Sequence, residues 1–349
     1  MPVMTVLGPV RADSLGITLV HEHLLIDLRN QFSEFTDPQR RRISREKLCL
    51  ANSGIVRRNP YAIKDNLVLD NLSLAAKELM EFKRAGGETV VDCTNIGIGR
   101  FPTRLRKLSR RTGLNIVAGC GYYTRDTHPA ALRCWPAERL ADEMVRDLTR
   151  GIGRTGIRAG VIGEIGTSSP IHPDERKVLL AAAKAFRQTD AALYVHTYPW
   201  DQTGLEVTKL LLREGVDPAK IVICHIDVDI DERYIRQLLK RGVCVEFDNF
   251  GKEFYIDAAD RKGFCGGVFA RDIERVRAIY GLLESGYERQ ILISTDICLK
   301  GLLRRYGGWG YGHILEHIVP MLRDEGVPLK VIRVLLVGNP RRLLDRRAI

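Results

Sequence analysis

Residues 17–27 read ITLVHEHLLID, and the way this stretch is read decides the fold. Leu19, Val20, Leu24, Leu25 and Ile26 make it a strand meant for burial. His21 and His23 nevertheless sit inside it, one residue apart. Side chains on a strand alternate faces, so the two imidazoles share one face while Glu22 points the other way. Two rings at adjacent rungs can bind one metal ion. The HExxH helix motif does the same at a period near four, and this sequence lacks it. Taken alone, the pair is a weak signal that fits surface histidines better than a metal site.

Seven more short runs rich in Val and Ile follow: 88–94, 115–123, 159–166, 192–197, 221–227, 243–249 and 291–296. Between them, 72–87, 137–150, 173–190, 203–214, 231–241 and 270–286 carry helical spacing or end charges of helical sign. Strands alternating with helices predict an α/β fold, a (β/α)8 TIM barrel with its active site at the C-terminal ends of the strands. A doubly wound open sheet is the alternative, weakened because no GxGxxG follows the first strand. The 349 residues suit one such barrel, so residues 1–349 are expected to be a single domain. Segments 29–70 and 297–312 exceed ordinary loop lengths and leave from the C-terminal ends of strands 1 and 8. Both are expected to cover the active face, with disorder the competing reading for 29–60.

Polar residues interrupt the runs near their ends: Glu164, His196, His225 and Asp296 join His21 and His23. In a barrel these positions converge. Unpaired polar groups cost on the order of several kcal/mol to bury, and a shared cation would satisfy all six. A satisfied core histidine or a helix-capping carboxylate explains any one of them, but poorly explains six at one depth.

The opening TVLGPV, then TLVHEHL, GVIGEIGTS, VHT, CHID, STDI and VGNPRRLL resemble, in order, the phosphotriesterase family of the amidohydrolase superfamily. VCVEFDNFGKEFY and YGGWGYGHIL look closest to its phosphotriesterase-related branch. The resemblance implies two divalent metal ions, Zn2+ foremost, with Mn2+, Co2+ or Fe2+ as alternatives. His21, His23 and Asp296 would hold the more buried ion and His196 and His225 the other. Glu164 would bridge them where founding members carry a carboxylated lysine, and its shorter arm leaves a single-metal site open. A metal-bridging hydroxide would be the nucleophile, with Asp296 catalytic as proton acceptor and donor. No GxSxG elbow offers a serine alternative.

The resemblance further implies Tyr123 beside the exposed metal and Asp248 as a polar substrate contact. Tyr198 and Trp309 are further substrate-binding candidates, with Trp200, Lys252, Arg305 and Tyr311 behind them. His128, His172, His313 and His317 fall in loops or helices and are not expected to be ligands. The expected activity is hydrolysis of a small ester, lactone or N-acyl amide. Phosphotriester cleavage is the alternative, and a non-catalytic ligand-binding barrel the reading from another class.

The net charge of +11 comes from scattered pairs, among them 57–58, 110–111, 304–305 and 346–347. No aromatic-interleaved stripe accompanies them, so they read as solvated surface, and no nucleic-acid partner is expected. No run approaches the roughly 18–20 apolar residues of a membrane span, and no signal peptide is read at the N-terminus. A cytoplasmic location and no membrane partner are expected, and the resemblance implies a homodimer. Cysteines 49, 93, 120, 134, 224, 244, 265 and 298 form no CxxC pair, so buried free thiols are expected at Cys93, Cys120, Cys224, Cys244 and Cys298.

Overall fold

The computed structural model describes residues 2–261 and 266–346. Its strands are β1 (Thr18–Glu22), β2 (Thr89–Asp92), β3 (Asn115–Cys120), β4 (Val161–Gly166), β5 (Leu193–His196), β6 (Ile221–Ile223), β7 (Cys244–Phe247) and β8 (Ile291–Ile293). Each pairs in parallel with the next. The ring closes just past β8, where Asp296 N donates to His21 O at 3.1 Å and His21 N to Ser294 Oγ at 3.0 Å. This is the expected (β/α)8 barrel.

Helices α1 (Leu72–Arg84), α2 (Pro102–Thr112), α3 (Ala137–Thr149), α4 (Pro173–Thr189), α5 (Thr203–Arg213), α6 (Glu232–Leu239) and α7 (Asp272–Leu283) lie between the strands. The sequence shows why α4 starts where it does. His172 Nδ1 accepts from Asp174 N, Glu175 reaches back to His172 N, and Pro173 occupies the first turn. The end of α1 is equally local: Gly86 takes φ +103°, and a Cβ on Gly87 would meet the Phe82 ring at 2.2 Å. The arginine-rich α2 escaped the sequence reading because its apolar positions are few.

Apolar residues divide into two layers. Val20, Val91, Val117, Val161, Tyr194, Val222 and Leu292 pack inside the barrel, joined by Val3 from an N-terminal hairpin (Pro2–Thr5 with Gly8–Arg11) and by Leu343 and Leu344. The opposite faces of the strands pack under the helices. Strands buried on both sides explain the continuous Val/Ile runs. Cys93, Cys120, Cys224, Cys244 and Cys298 are buried free thiols, as expected, whereas Cys265 lies outside the described residues, as does Arg347.

The strands are shorter than the apolar runs. The first leaves the barrel after Glu22, and Ile26–Asp27 pairs antiparallel with Val68–Leu69. That clip ties off segment 29–70, which is a series of short helical turns with a small core of its own, Leu48, Val56 and Ile63. Its Gln31 reaches the pocket at the strand ends.

Candidate metal centre

Strand geometry gathers the six predicted donors. A register irregularity between Leu19 and Glu22 lets both Val20 and His21 face the barrel interior. His21 and His23 end on the same side with ring centroids 5.5 Å apart. Glu164 lies within β4, His196 ends β5, and His225 and Asp296 follow β6 and β8 at φ +63° and +43°. Such left-handed backbone costs about 1–3 kcal/mol outside glycine and persists where the surroundings enforce it.

For Asp296 the surroundings are explicit. The buried Glu22 carboxylate accepts from Ser294 Oγ (2.8 Å), Thr295 N (2.9 Å), Thr295 Oγ1 (2.6 Å) and Ile297 N (2.8 Å), lashing the tip of β8 to β1. The residue that faces away from the histidines therefore places the aspartate.

Glu164 is the hub. Its Oε1 lies 3.1 Å from His23 Nε2, and its Oε2 lies 3.6, 3.3 and 3.4 Å from His21 Nε2, His196 Nδ1 and His225 Nε2. Asp296 Oδ1 is 3.1 Å from His23 Nε2 and 4.0 Å from His21 Nε2. Burial alone would raise the Glu164 carboxyl, but the His21, His196 and His225 rings crowded around it hold it well below its usual range. Burial pushes His196 down.

The donor set fits metal. His21 Nε2 and Glu164 Oε2 are buried at the centre of the cluster with no hydrogen-bond partner. Ligand atoms of His21, His23 and Asp296, and of His21, Glu164 and His225, lie within 4.8 Å of one another. Four imidazoles and two carboxylates are the ligands of a borderline divalent ion such as Zn2+.

Behind three of the four rings stands a second polar group. His21 Nδ1 meets Glu246 Oε2 at 2.9 Å, His23 Nδ1 meets Thr94 Oγ1 at 2.9 Å, and His225 Nδ1 meets Asp248 Oδ1 at 3.0 Å. Such partners fix the tautomer and aim of a ligating ring. The sequence reading missed Glu246 and Thr94. A carboxylate between Val245 and Phe247 in a predicted strand was the signal for Glu246.

The substrate-binding candidates separate. The Tyr123 hydroxyl sits 3.2 Å from His196 Nδ1 and receives Gln31 Nε2 at 3.1 Å, inside the pocket. Asp248 is fully buried, and both of its oxygens face His225, its own neighbour Asn249 and His21, so it holds a ring where a substrate contact was expected. Tyr198 lines an outer cleft of about 720 Å3, with Phe32, Phe35, Arg41, Asp126 and His196. Trp309 is half exposed and stacks on His313, and it lines neither the pocket nor the cleft. Tyr311 donates to the His23 carbonyl at 3.0 Å.

A parallel barrel whose strand ends carry four histidines and two carboxylates around one point defines a metal-dependent hydrolase. The chain belongs to the phosphotriesterase family, whose model matches residues 1–344. It is 37% identical to an N-acetyltaurine hydrolase of Tetraodon nigroviridis, over 98% of this chain and 97% of that one. It is 36% identical to a phosphotriesterase-related protein of Nematostella vectensis, over 97% of each. A solved structure, the resiniferatoxin-binding protein of Rhodobacter sphaeroides, superposes with a TM-score of 0.95 at 37% identity, covering 99% of this chain and 95% of that one. No helix among the described residues is long and apolar enough to cross a membrane.

Proposed function

We propose that His21, His23 and Asp296 hold one divalent ion, that His196 and His225 hold a second with Glu164 between them, and that this centre hydrolyses the amide of a small N-acylated amine. The observation that carries the reading is Glu164, whose two oxygens reach all four imidazoles. The amide is favoured over a lactone or phosphotriester by relatives named for N-acetyltaurine hydrolysis at 34–37% identity across nearly the whole chain. Zinc fits the imidazole-rich set best. A single domain, a cytoplasmic setting and a homodimer complete the proposal.

The ions, when bound, polarise the carbonyl and bring the pKa of a water to about 7. The chain supplies the rest. Asp296 keeps Oδ1 among the histidines and turns Oδ2 away from them, toward Lys252 and the Cys298 thiol. Oδ2 takes the proton of the attacking water and gives it to the amide nitrogen as the C–N bond breaks, leaving a carboxylate and an amine. The Tyr123 hydroxyl, held by Gln31, positions the carbonyl.

Metal-reconstituted protein assayed on acetyl amides, lactones and paraoxon-like phosphotriesters tests the reading. Preference for amides is expected, and preference for the organophosphate overturns it. The outer cleft favours one second reading, a barrel that binds a large ligand without turnover, as the Rhodobacter neighbour's name describes for that protein. Full metal occupancy with no hydrolysis of any panel would favour it.

A further inference from the structure

Lys252 lies in the loop after β7 and is 4% exposed, yet its ammonium reaches into the reaction pocket and pairs with Asp296 Oδ2. It is the single lysine or arginine among the described residues lining that pocket. A buried ammonium is expensive unless paired. Pairing with Asp296 alone is a poor reason for its place, because an ammonium on a metal ligand competes with the metal for the carboxylate.

The loop holds the ammonium in position. Lys252 N donates to Asn249 O at 3.0 Å, and its carbonyl accepts Arg275 Nη2 at 3.2 Å. Arg275 is fully buried and clamped between Asp227 Oδ2 at 3.0 Å and Asp272 Oδ1 at 2.9 Å. Asp272 Oδ1 also receives Gly251 N at 2.9 Å, at a backbone position of φ +84°. A lysine anchored this way is a preorganised cation, unlike a surface lysine that swings free.

We propose that Lys252 is the recognition site for an acidic group on the amine half of the substrate, two to three bonds from the scissile nitrogen. Position makes the choice between the halves. Asp296 Oδ2, the atom that returns a proton to the leaving nitrogen, is the atom the ammonium touches. A group in contact with Lys252 therefore belongs to the fragment that leaves as the amine. One residue then ties recognition of the tail to alignment of the leaving nitrogen. A sulfonate, carboxylate or phosphonate meets the chemistry equally.

The proposal rests on the amidase reading, and the test separates the two. Three amides are compared on metal-loaded protein: N-acetyl-2-aminoethanesulfonate, its isomer N-ethyl-sulfoacetamide with the charge on the acyl half, and neutral N-acetylpropylamine. The first is expected to exceed both others in kcat/KM by about 100-fold, the worth of one good charge-assisted hydrogen bond. Lys252→Met is expected to collapse that ratio toward one, mainly through KM, with the metal held at least as tightly as in the parent protein, and Lys252→Arg to restore part of it. Equal rates for the two isomers, or an unchanged ratio in Lys252→Met, would overturn the assignment and leave Lys252 as a counter-ion only. If no amide is cleaved, the amidase reading fails. The subsite is then judged by calorimetric binding of 2-aminoethanesulfonate: loss of binding in Lys252→Met upholds it, and equal binding overturns it.

Discussion

Glu246 stands directly behind His21, its Oε2 2.9 Å from Nδ1, and both side chains are closed to solvent. The contact requires the proton on Nδ1 and so frees Nε2, the atom facing Glu164. Glu246 Oε1 has no partner of its own, so the position carries an electrostatic burden that packing does not explain. Glu246→Gln is expected to weaken binding of the more buried ion by about 10- to 100-fold. Metal content after dialysis against graded chelator measures it. Retention equal to the parent protein would remove Glu246 from the machinery.

The histidines set the pH dependence of the metal-free chain. Burial lowers the His23 ring, but Asp296 and Glu164 outweigh it and lift His23 to about 9, while Asp248 and Glu164 lift His225 to about 10. Folded values above the unfolded one of about 6.5 give stability that is complete below pH 6.5 and lost as pH rises through 9 to 10. Metal must displace these protons, so its affinity is expected to rise with pH across the same window. Adding zinc to metal-free protein at pH 7 should release protons, measurable as a buffer-dependent calorimetric heat. A heat independent of buffer ionisation would count against it.

Arg275 makes a sharper stability case. Replacing it by Met leaves Asp227 buried without its counter-charge and Asp272 with the His313 ring alone, 2.7 Å away. The expected loss is about 3–5 kcal/mol, read from the denaturation midpoint. Arg275→Lys should recover only part, because an ammonium cannot reproduce the fork that spans two carboxylates and two carbonyls. A midpoint shift under about 1 kcal/mol would show the network to be dispensable.

Tyr123→Phe removes a hydroxyl that touches His196 and Gln31 and leaves the packing. Turnover is expected to fall about tenfold, with metal content and melting temperature held, as when one positioning hydrogen bond is lost. Unchanged turnover would place the hydroxyl outside the reaction.

Much of this was legible in ITLVHEHLLID and its seven counterparts. Parallel strands buried on both faces are nearly pure Val and Ile, so a histidine or carboxylate among them stands out, and the barrel brings such positions to one point. The supporting groups were harder to read. Thr94 and Asp248 resemble ordinary strand-end residues, and only contacts across strands reveal that each grips a ring. Lys252 was one loop cation among several until Arg275, in a helix beyond, fixed where it points. Segment 29–70 was opaque for another reason: Leu48, Val56 and Ile63 are too sparse to show a period, though they suffice for a core.

That small core gives the segment a separate history from the barrel. Its two ends meet at the Ile26–Asp27 and Val68–Leu69 clip, and its apolar centre draws from outside only Tyr306 of the loop after β8, so it is built much like a cassette. Loop-closure entropy grows only slowly with length, so such a cassette can be lengthened, trimmed or exchanged at small energetic cost. The strands that carry the histidines would stay in place while the walls of the outer cleft changed, giving one chassis a route to new substrates.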